Sequence, residues 1–191
     1  MQRFSRPKFL PYAQRMMATI ALHLGAVFCI TFISEDMQVK RKHDRPLYYT
    51  GYIGSSKMSR IQVDSRSALS IMPRKVMQHL EILTHRLSAT QTMIYGFNAN
   101  GTRSMGKIKL RCQIGDLKSE VTCYIIDADT SYNLLLGWPW IHHNAIILST
   151  LHQVMKYIDE EGKVIMMIVE RRYVQGDREL LHWFPPISRF S

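Results

Sequence analysis

From Arg45 onward the apolar and polar residues of this 191-residue chain fall into a period of two, the mark of strands with one buried face. "LYYTGYI", Leu47 to Ile53, and "SRIQVD", Ser59 to Asp64, are β-rich stretches, and the "GSSKM" between them is a glycine-led connection of hairpin length. Asp64 therefore ends the second strand of a hairpin. In "ALSIMPRKVMQHLEI" the spacing changes. Leu69, Met72, Val76, Met77 and Leu80 recur near helical intervals, which predicts a short helix with Pro73 in its first turn, where a missing N–H is harmless.

"TMIYGFNANGTRSMGKIKL", Thr92 to Leu110, predicts a second hairpin around Asn100-Gly101. "KIKLRCQI" then alternates without error, with Ile108, Leu110, Cys112 and Ile114 on one face and Lys107, Lys109, Arg111 and Gln113 on the other. With Gly115-Asp116 as the turn, Leu110 is expected opposite Val121, Ile108 opposite Cys123 and Cys112 opposite Ser119. The two cysteines are then too far apart for a disulfide and read as small core residues. "NLLLG", Asn133 to Gly137, predicts a buried strand stopped by glycine, Trp138 to Asn144 a short helix, and Glu161-Gly162 the turn of a last hairpin. Short strands, glycine turns and little helix predict an all-β domain over residues 46–158, with a leader at 1–45 and an extension at 159–191.

Composition alters this picture little. Hydrophobic residues make up 46% and charged ones 21%, as in ordinary globular domains. The formal charge of +10 favours acidic partners or nucleic acid. Residues 1–45, however, hold eight Lys/Arg against three acids, including "KRKHDR", Lys40 to Arg45, and a basic leader is more often a solvated linker than a specific site. With no zinc knuckle, aromatic ladder or glycine-arginine repeat, no direct nucleic-acid site is expected. "MMATIALHLGAVFCITFI", Met16 to Ile33, follows four basic residues like a signal anchor. It is at the lower limit for spanning a bilayer and contains Thr19, His23 and Thr31, so a soluble or partly buried segment is preferred to a membrane anchor. The three cysteines form no framework, and reduced thiols in the cytoplasm or nucleus are the default reading. His142-His143 is adjacent rather than one helical turn apart, and His79, His85 and His152 lack partners at ligand spacing. No metal or cofactor is implied. The serines of "SRSALS" lack a glycine-flanked nucleophile elbow.

What remains is "IQVDSRSALSIMP", where a strand delivers one aspartate, Asp64, into Ser65-Arg66-Ser67-Ala68. Alone, Asp64 reads as a turn-capping carboxylate. Taken with "DRPLYYTGYIG", "VDSRSALSIMPR", "IYGFNANG", "GKIKLRCQIGDLKSEVTCYIIDADTSYNLLLGWPWIH" and "STLHQVMKY", the chain resembles the retropepsin-like aspartic proteases of gypsy-class LTR retrotransposon gag-pol polyproteins, particularly plant ones. The resemblance covers roughly Ile30 to Tyr157. It implies a closed β-sheet domain that works as a homodimer on polypeptide substrates, each copy lending one aspartate. Asp64 falls on the catalytic position and Ser65 on the variable second elbow position. Ser67 and Ala68 match the small residues that pack against the dimer mate. The hairpin from about Ile94 to Ile108, with Tyr95, Gly96, Phe97, Asn98 and Gly101, matches the flap, and Leu135, Leu136 and Gly137 match the strand beneath the elbow. Asp127 and Asp129 of "DADTS" lack the following glycine and read as solvated turn acids.

Two positions depart from the family pattern: Arg66 replaces glycine, and Trp138 stands where a polar or basic residue is usual. Arginine at the elbow would add bulk at the dimer axis and disfavour a left-handed backbone, at about 1–2 kcal/mol. Its charge would also favour ionised carboxylates where the chemistry needs one proton retained. The expected function is therefore an aspartic endopeptidase impaired at Arg66, or the same fold kept as an inactive dimerisation or peptide-binding module.

Overall fold

The computed structural model describes residues 29–39, 45–95 and 101–170. Its strands are β1 (Leu47–Ile53), β2 (Ser56–Val63), β3 (Ser70–Pro73), β4 (Met93–Tyr95), β5 (Gly101–Arg103) and β6 (Gly106–Ile114). They continue as β7 (Leu117–Ile126), β8 (Leu134–Leu136), β9 (Ile147–Ser149), β10 (Val154–Ile158) and β11 (Val164–Ile168). Two short helices accompany them, α1 (Arg74–His79) and α2 (Trp138–His143). Six strands close a barrel in the order β1-β2-β8-β3-β7-β6, while β11-β10-β9 and β4-β5 form separate sheets. The expected all-β, closed-sheet class is what the chain adopts.

Closure of the barrel depends on how nearly β1 can approach β6. A Cβ on Gly51 would lie 2.2 Å from the Gln113 carbonyl oxygen, so only glycine fits where the first strand meets the sixth. Next to it, Tyr52 pairs with Gln113 and Ile53 with Cys112. The register of β1 on β2 shifts between Tyr49 and Gly51, where β2 carries an extra residue and Arg60 takes a φ of +57°. The Arg60 guanidinium donates to the Ser131 carbonyl through Nε at 2.8 Å, which ties this bulge to the loop before β8.

Where a strand has one wet face, burial follows the period of two. In β6 the residues Ile108, Cys112 and Ile114 are buried and Leu110 half-buried, while Lys109 and Arg111 are exposed. Leu110 pairs with Val121, Ile108 with Cys123 and Cys112 with Ser119, as the alternation requires. Both cysteines are buried and free. Burial pushes the Cys112 thiol up to about 12 and raises that of Cys123 as well.

Two local expectations are corrected. The first hairpin does not use "GSSKM" as its loop, because β2 already begins at Ser56 and the turn is Gly54-Ser55, with Gly54 at φ +61°. The helix predicted with Pro73 in its first turn begins one residue later, at Arg74, and the helically spaced run before it is strand β3, Ser70–Pro73, with all four residues buried. That strand lies between β7 and β8, parallel to the first and antiparallel to the second. A strand apolar on both faces shows no alternation and so mimics helical spacing. Pro73 caps the helix from outside its first turn, with φ −63° and ψ 144°.

The folded sheet continues past residue 158, since β11 pairs with β10 from Val154↔Ile168 to Ile158↔Val164. Residues 31–38 lie against the same sheet. Lys156, largely buried, donates to Asp36 Oδ2 at 2.5 Å and to the Thr31 carbonyl at 2.8 Å, and its ammonium sits 5.1 Å above the Phe32 ring. Phe32 stacks on His152, whose carbonyl accepts the Gln38 N–H. Residues 16–28 of the apolar stretch, and Lys40 to Asp44 of the basic run, lie outside the described residues. Among the described residues no helix is long and apolar enough to cross a membrane.

The Lys156 hydrogen bond, followed by the Ile33 amide, holds the Asp36 carboxyl below its ordinary value of 3.8. A group depressed in the folded state adds stability above its unfolded pKa and loses it as pH falls through the folded one. Chemical denaturation of wild type and Asp36→Asn is expected to separate the two clearly at pH 7. The gap narrows once pH falls below the ordinary value of 3.8 and closes only as the depressed folded-state carboxyl itself takes up its proton. A gap that stays constant with pH would show that the ion pair is not its source.

Candidate active site

Asp64 is the first residue after β2, and its position is fixed by β8. The two strands run parallel, with Val63 beside Leu136, and the Asp64 N–H donates to the Leu136 carbonyl at 3.0 Å. Beyond it the chain turns sharply. The Arg66 N–H donates to Asp64 Oδ1 at 2.9 Å and the Ser67 N–H to the Asp64 carbonyl at 3.2 Å. This is the local bonding by which aspartate shapes a turn. The loop is then clamped from the far side, where the Trp138 N–H donates to the Ser67 carbonyl at 2.8 Å. Ser67 Oγ donates to the Leu69 carbonyl at 2.8 Å, and the Gly137 N–H donates to Ser70 Oγ at 3.1 Å.

Gly137 makes this clamp physically allowed. A Cβ there would lie 2.3 Å from the Leu69 carbonyl oxygen and 2.7 Å from that of Ser67. These are rigid backbone atoms, so no side chain can be accommodated without moving the elbow or β8. Leu136, fully buried, points into the main core with Leu134. Leu135 turns the other way and packs with Ile71 and Ile126 in a second small cluster. Of the residues expected beneath the elbow, Leu136 and Gly137 therefore hold its backbone, while Leu135 belongs to an apolar wall beside it.

That wall includes the base of the expected flap. Ile94 of β4 packs on the Ile71–Ile126–Leu135 cluster, together with Leu69, Ala128 and Tyr132. Met93 and Tyr95, on either side of it, are exposed. β4 pairs with β5 through Met93↔Arg103, Ile94↔Thr102 and Tyr95↔Gly101. Gly101 is thus a strand residue rather than part of the turn, and Gly96, Phe97 and Asn98 lie outside the described residues. The hairpin is also shorter than expected. Its arms end at Arg103, and Gly106 to Ile108 belong to barrel strand β6. Ser104 makes the junction: its N–H donates to the Thr92 carbonyl and its hydroxyl to that of Gly106.

The Asp64 side chain keeps 29% of its surface exposed and that of Arg66 85%. The Arg66 guanidinium approaches, with Nε 3.8 Å from Asp64 Oδ1, a long and solvated contact that adds little stability. Arg66 has a negative φ, since the non-glycine residues with positive φ among those described are Arg60, Glu81, Ala145 and Gln153. The backbone strain expected of arginine here is therefore absent, and of its three expected effects only charge and bulk remain. Ser65 and Ala68 are exposed and Ser67 is half-buried. Asp127 and Asp129 lie away from the elbow, in exposed ion pairs with Arg74 at 2.9 Å and Lys75 at 2.5 Å. Trp138 is 53% exposed and stacks on His142, with ring centroids 4.8 Å apart.

Sequence reasoning passed over Ser70, Asn133 and Ile71. Ser70 receives the Gly137 amide, and Asn133 anchors the start of β8 by donating to the Arg60 and Ser59 carbonyls. A lone serine inside the apolar run "ALSIM" was the available signal, because a buried hydroxyl needs a partner. Among the described residues no three His, Cys, Asp or Glu side chains gather where they could hold one metal ion.

No family model and no curated protein matches the chain. Among solved structures it is similar to the crystal structure of the retroviral protease-like domain of Ddi1 from Leishmania major. The two share 15% identity, with 64% of this chain and 94% of that one covered, at a TM-score of 0.47. It is also similar to a retropepsin-like aspartic protease from Rickettsia conorii, at 18% identity, 57% and 80% coverage and a TM-score of 0.43. For EIAV protease in complex with the inhibitor HBY-793 the values are 13%, 58% and 99%, and 0.43.

The clamp predicts that Gly137→Ala destabilises the protein by at least about 2 kcal/mol, the range of overpacking against atoms that cannot yield. Urea denaturation measures this. A variant as stable as wild type would show slack between the elbow and β8.

Proposed function

We propose that the chain is one half of a dimeric, retropepsin-like aspartic endopeptidase, with Asp64 as its catalytic residue and Arg66 as a brake on its activity. The observation that carries this reading is the elbow itself. A partly exposed carboxylate sits at a strand end, its turn held on one side by β8 and on the other by the first residue of α2, beside an apolar wall that the β4–β5 hairpin helps to build. Such a wall and hairpin suit an extended polypeptide whose side chains pack beside the scissile bond. Among the described residues only Asp64 is presented in this way, so a second carboxylate would come from a second copy. The resemblance of its ordered segments to LTR retrotransposon polyproteins is the ground for proposing a retroelement origin.

The chemistry requires two carboxylates about 3 Å apart that share one proton. The ionised one takes a proton from water as it attacks the peptide carbonyl, and the protonated one donates to the developing oxyanion. Arg66 works against this sharing. Its guanidinium already lies near Asp64, and bringing two elbows together would place two such cations around the pair and remove solvent from them. A nearby positive charge favours the ionised form of both acids, leaving no proton to donate. The bulk of two arginine side chains also opposes close approach. The same observation favours the second reading, a dimerising or peptide-binding module without activity.

Cleavage of a mixed peptide library between about pH 4 and 7 distinguishes them, with pepstatin as control. Wild type is expected to cleave slowly, Arg66→Gly at least about tenfold faster, the scale of one removed unfavourable charge, and Asp64→Ala not at all. Silence from wild type and from Arg66→Gly, with both folded, would overturn the endopeptidase reading and leave the non-enzymatic one.

A further inference from the structure

The barrel has a second surface that the elbow does not use. β6 lies three strands from β8 in either direction around the six-stranded barrel, so its outward face is opposite the strand that supports Asp64. Because the ladder from Gly106↔Ile125 to Ile114↔Leu117 is unbroken, Lys107, Lys109, Arg111 and Gln113 share that face at intervals of about 6.8 Å. Register extends it sideways. Gln113 is level with Lys118 on β7 and with Tyr52 on β1, and Tyr52 is level with Lys57 on β2. Lys57, Lys109, Arg111, Lys118 and Tyr52 are all exposed.

The described residues are close to charge balance, with fourteen Lys/Arg against twelve Asp/Glu. Five of those cations lie on this one face; of the acids beside them, Glu120 pairs with Lys109 at 3.0 Å, Glu170 accepts from the Thr50 hydroxyl at 2.9 Å, and Asp116 lies at the β6–β7 turn. Lys57, Lys107, Arg111 and Lys118 have no ion-pair partner among the described residues. An open depression of about 420 Å³ borders this face, its lining including Arg111, Gln113, Lys118 and Glu120 together with the inward-side pair Cys112 and Ser119. A track of cations beside an exposed aromatic ring and a depression is the arrangement that holds a phosphate backbone while a base stacks. The absence of a nucleic-acid motif had led to the expectation of no direct site. The sheet assembles this face from four strands, and no linear motif can show that.

We infer that the outward face of β6, with Lys57, Lys107, Lys109, Arg111, Lys118 and Tyr52, binds single-stranded nucleic acid through its backbone. This goes beyond the proposed peptidase and does not depend on it. The test is fluorescence anisotropy of the full chain with a labelled 20-nucleotide oligouridylate and the matching oligothymidylate, at several salt concentrations. Wild type is expected to bind both, since phosphates rather than 2′-hydroxyls are read. The triple variant Lys107→Gln/Arg111→Gln/Lys118→Gln is expected to bind at least about tenfold more weakly, with its salt slope reduced by about two, because each lost phosphate contact removes about 0.7. Tyr52→Ala should weaken binding by about fivefold or more through lost stacking. If the triple variant fails to fold, Lys118→Gln alone replaces it and is expected to lower affinity about threefold, one phosphate contact's share of the salt-dependent attraction.

A parallel variant, Lys40→Gln/Arg41→Gln/Lys42→Gln, separates this face from the basic leader. Failure of wild type to bind either oligonucleotide at low salt would overturn the inference. So would loss of binding in the leader variant alone, or displacement of the oligonucleotide by polyglutamate of equal charge with Tyr52→Ala unaffected. That last result would assign the face to an acidic protein instead.

Discussion

The candidate site depends on a backbone contact that leaves no room for a side chain. At Gly137 the end of β8 passes so close to the carbonyls of Ser67 and Leu69 that a Cβ would fall inside their van der Waals surfaces. Two hydrogen bonds run across this contact in opposite directions, from Asp64 N–H to the Leu136 carbonyl and from Trp138 N–H to that of Ser67. The elbow is therefore held at its beginning by the end of β8 and at its end by the first residue of α2, two residues further along the chain. Because β8 is only three residues long, with all of them buried, this position is set by core packing on one side and by the Ile71–Leu135 cluster on the other. A site on a loop gains the precision of a strand in this way.

How much could be read in advance followed from how each segment meets water. The β6–β7 hairpin has one wet face, so its alternation disclosed the turn and the partners of Ile108, Leu110 and Cys112. β3 has no wet face, and its apolar run passed for the start of a helix. The parallel neighbours of β2 and β3 left no local signal, because parallel pairing joins segments far apart in the chain; only the family resemblance set Leu135 to Gly137 beneath the elbow. At the elbow, Asp64 was legible because a strand visibly ended in a carboxylate. Ser70 and Asn133 were not, because their roles exist only once β8 has been brought alongside.

The sheet of β9, β10 and β11 poses a different problem. Lys156 points from β10 into a largely buried position where an unpaired ammonium would be unfavourable. The chain resolves this with residues 31–38, which supply a carboxylate, a carbonyl and an aromatic face to one cation. A segment that reads from its sequence as the tail of a leader is thus also a counter-ion for the domain. The boundary between leader and domain is an electrostatic question as much as one of composition.

The negative φ of Arg66 decides how its effect should be understood. Had the elbow needed a left-handed residue, arginine would have strained the turn in every copy, and the fold itself would have opposed the substitution. The turn is instead closed by hydrogen bonds from the Arg66 and Ser67 amides to Asp64, which are available to any residue but proline. The backbone of the turn therefore needs neither arginine nor glycine in particular. The two differ where a second elbow would approach, as two extended side chains and two fixed charges around a pair of acids that must keep one proton between them. The half-site's backbone can thus form with arginine in place, whatever that residue does to the proposed chemistry.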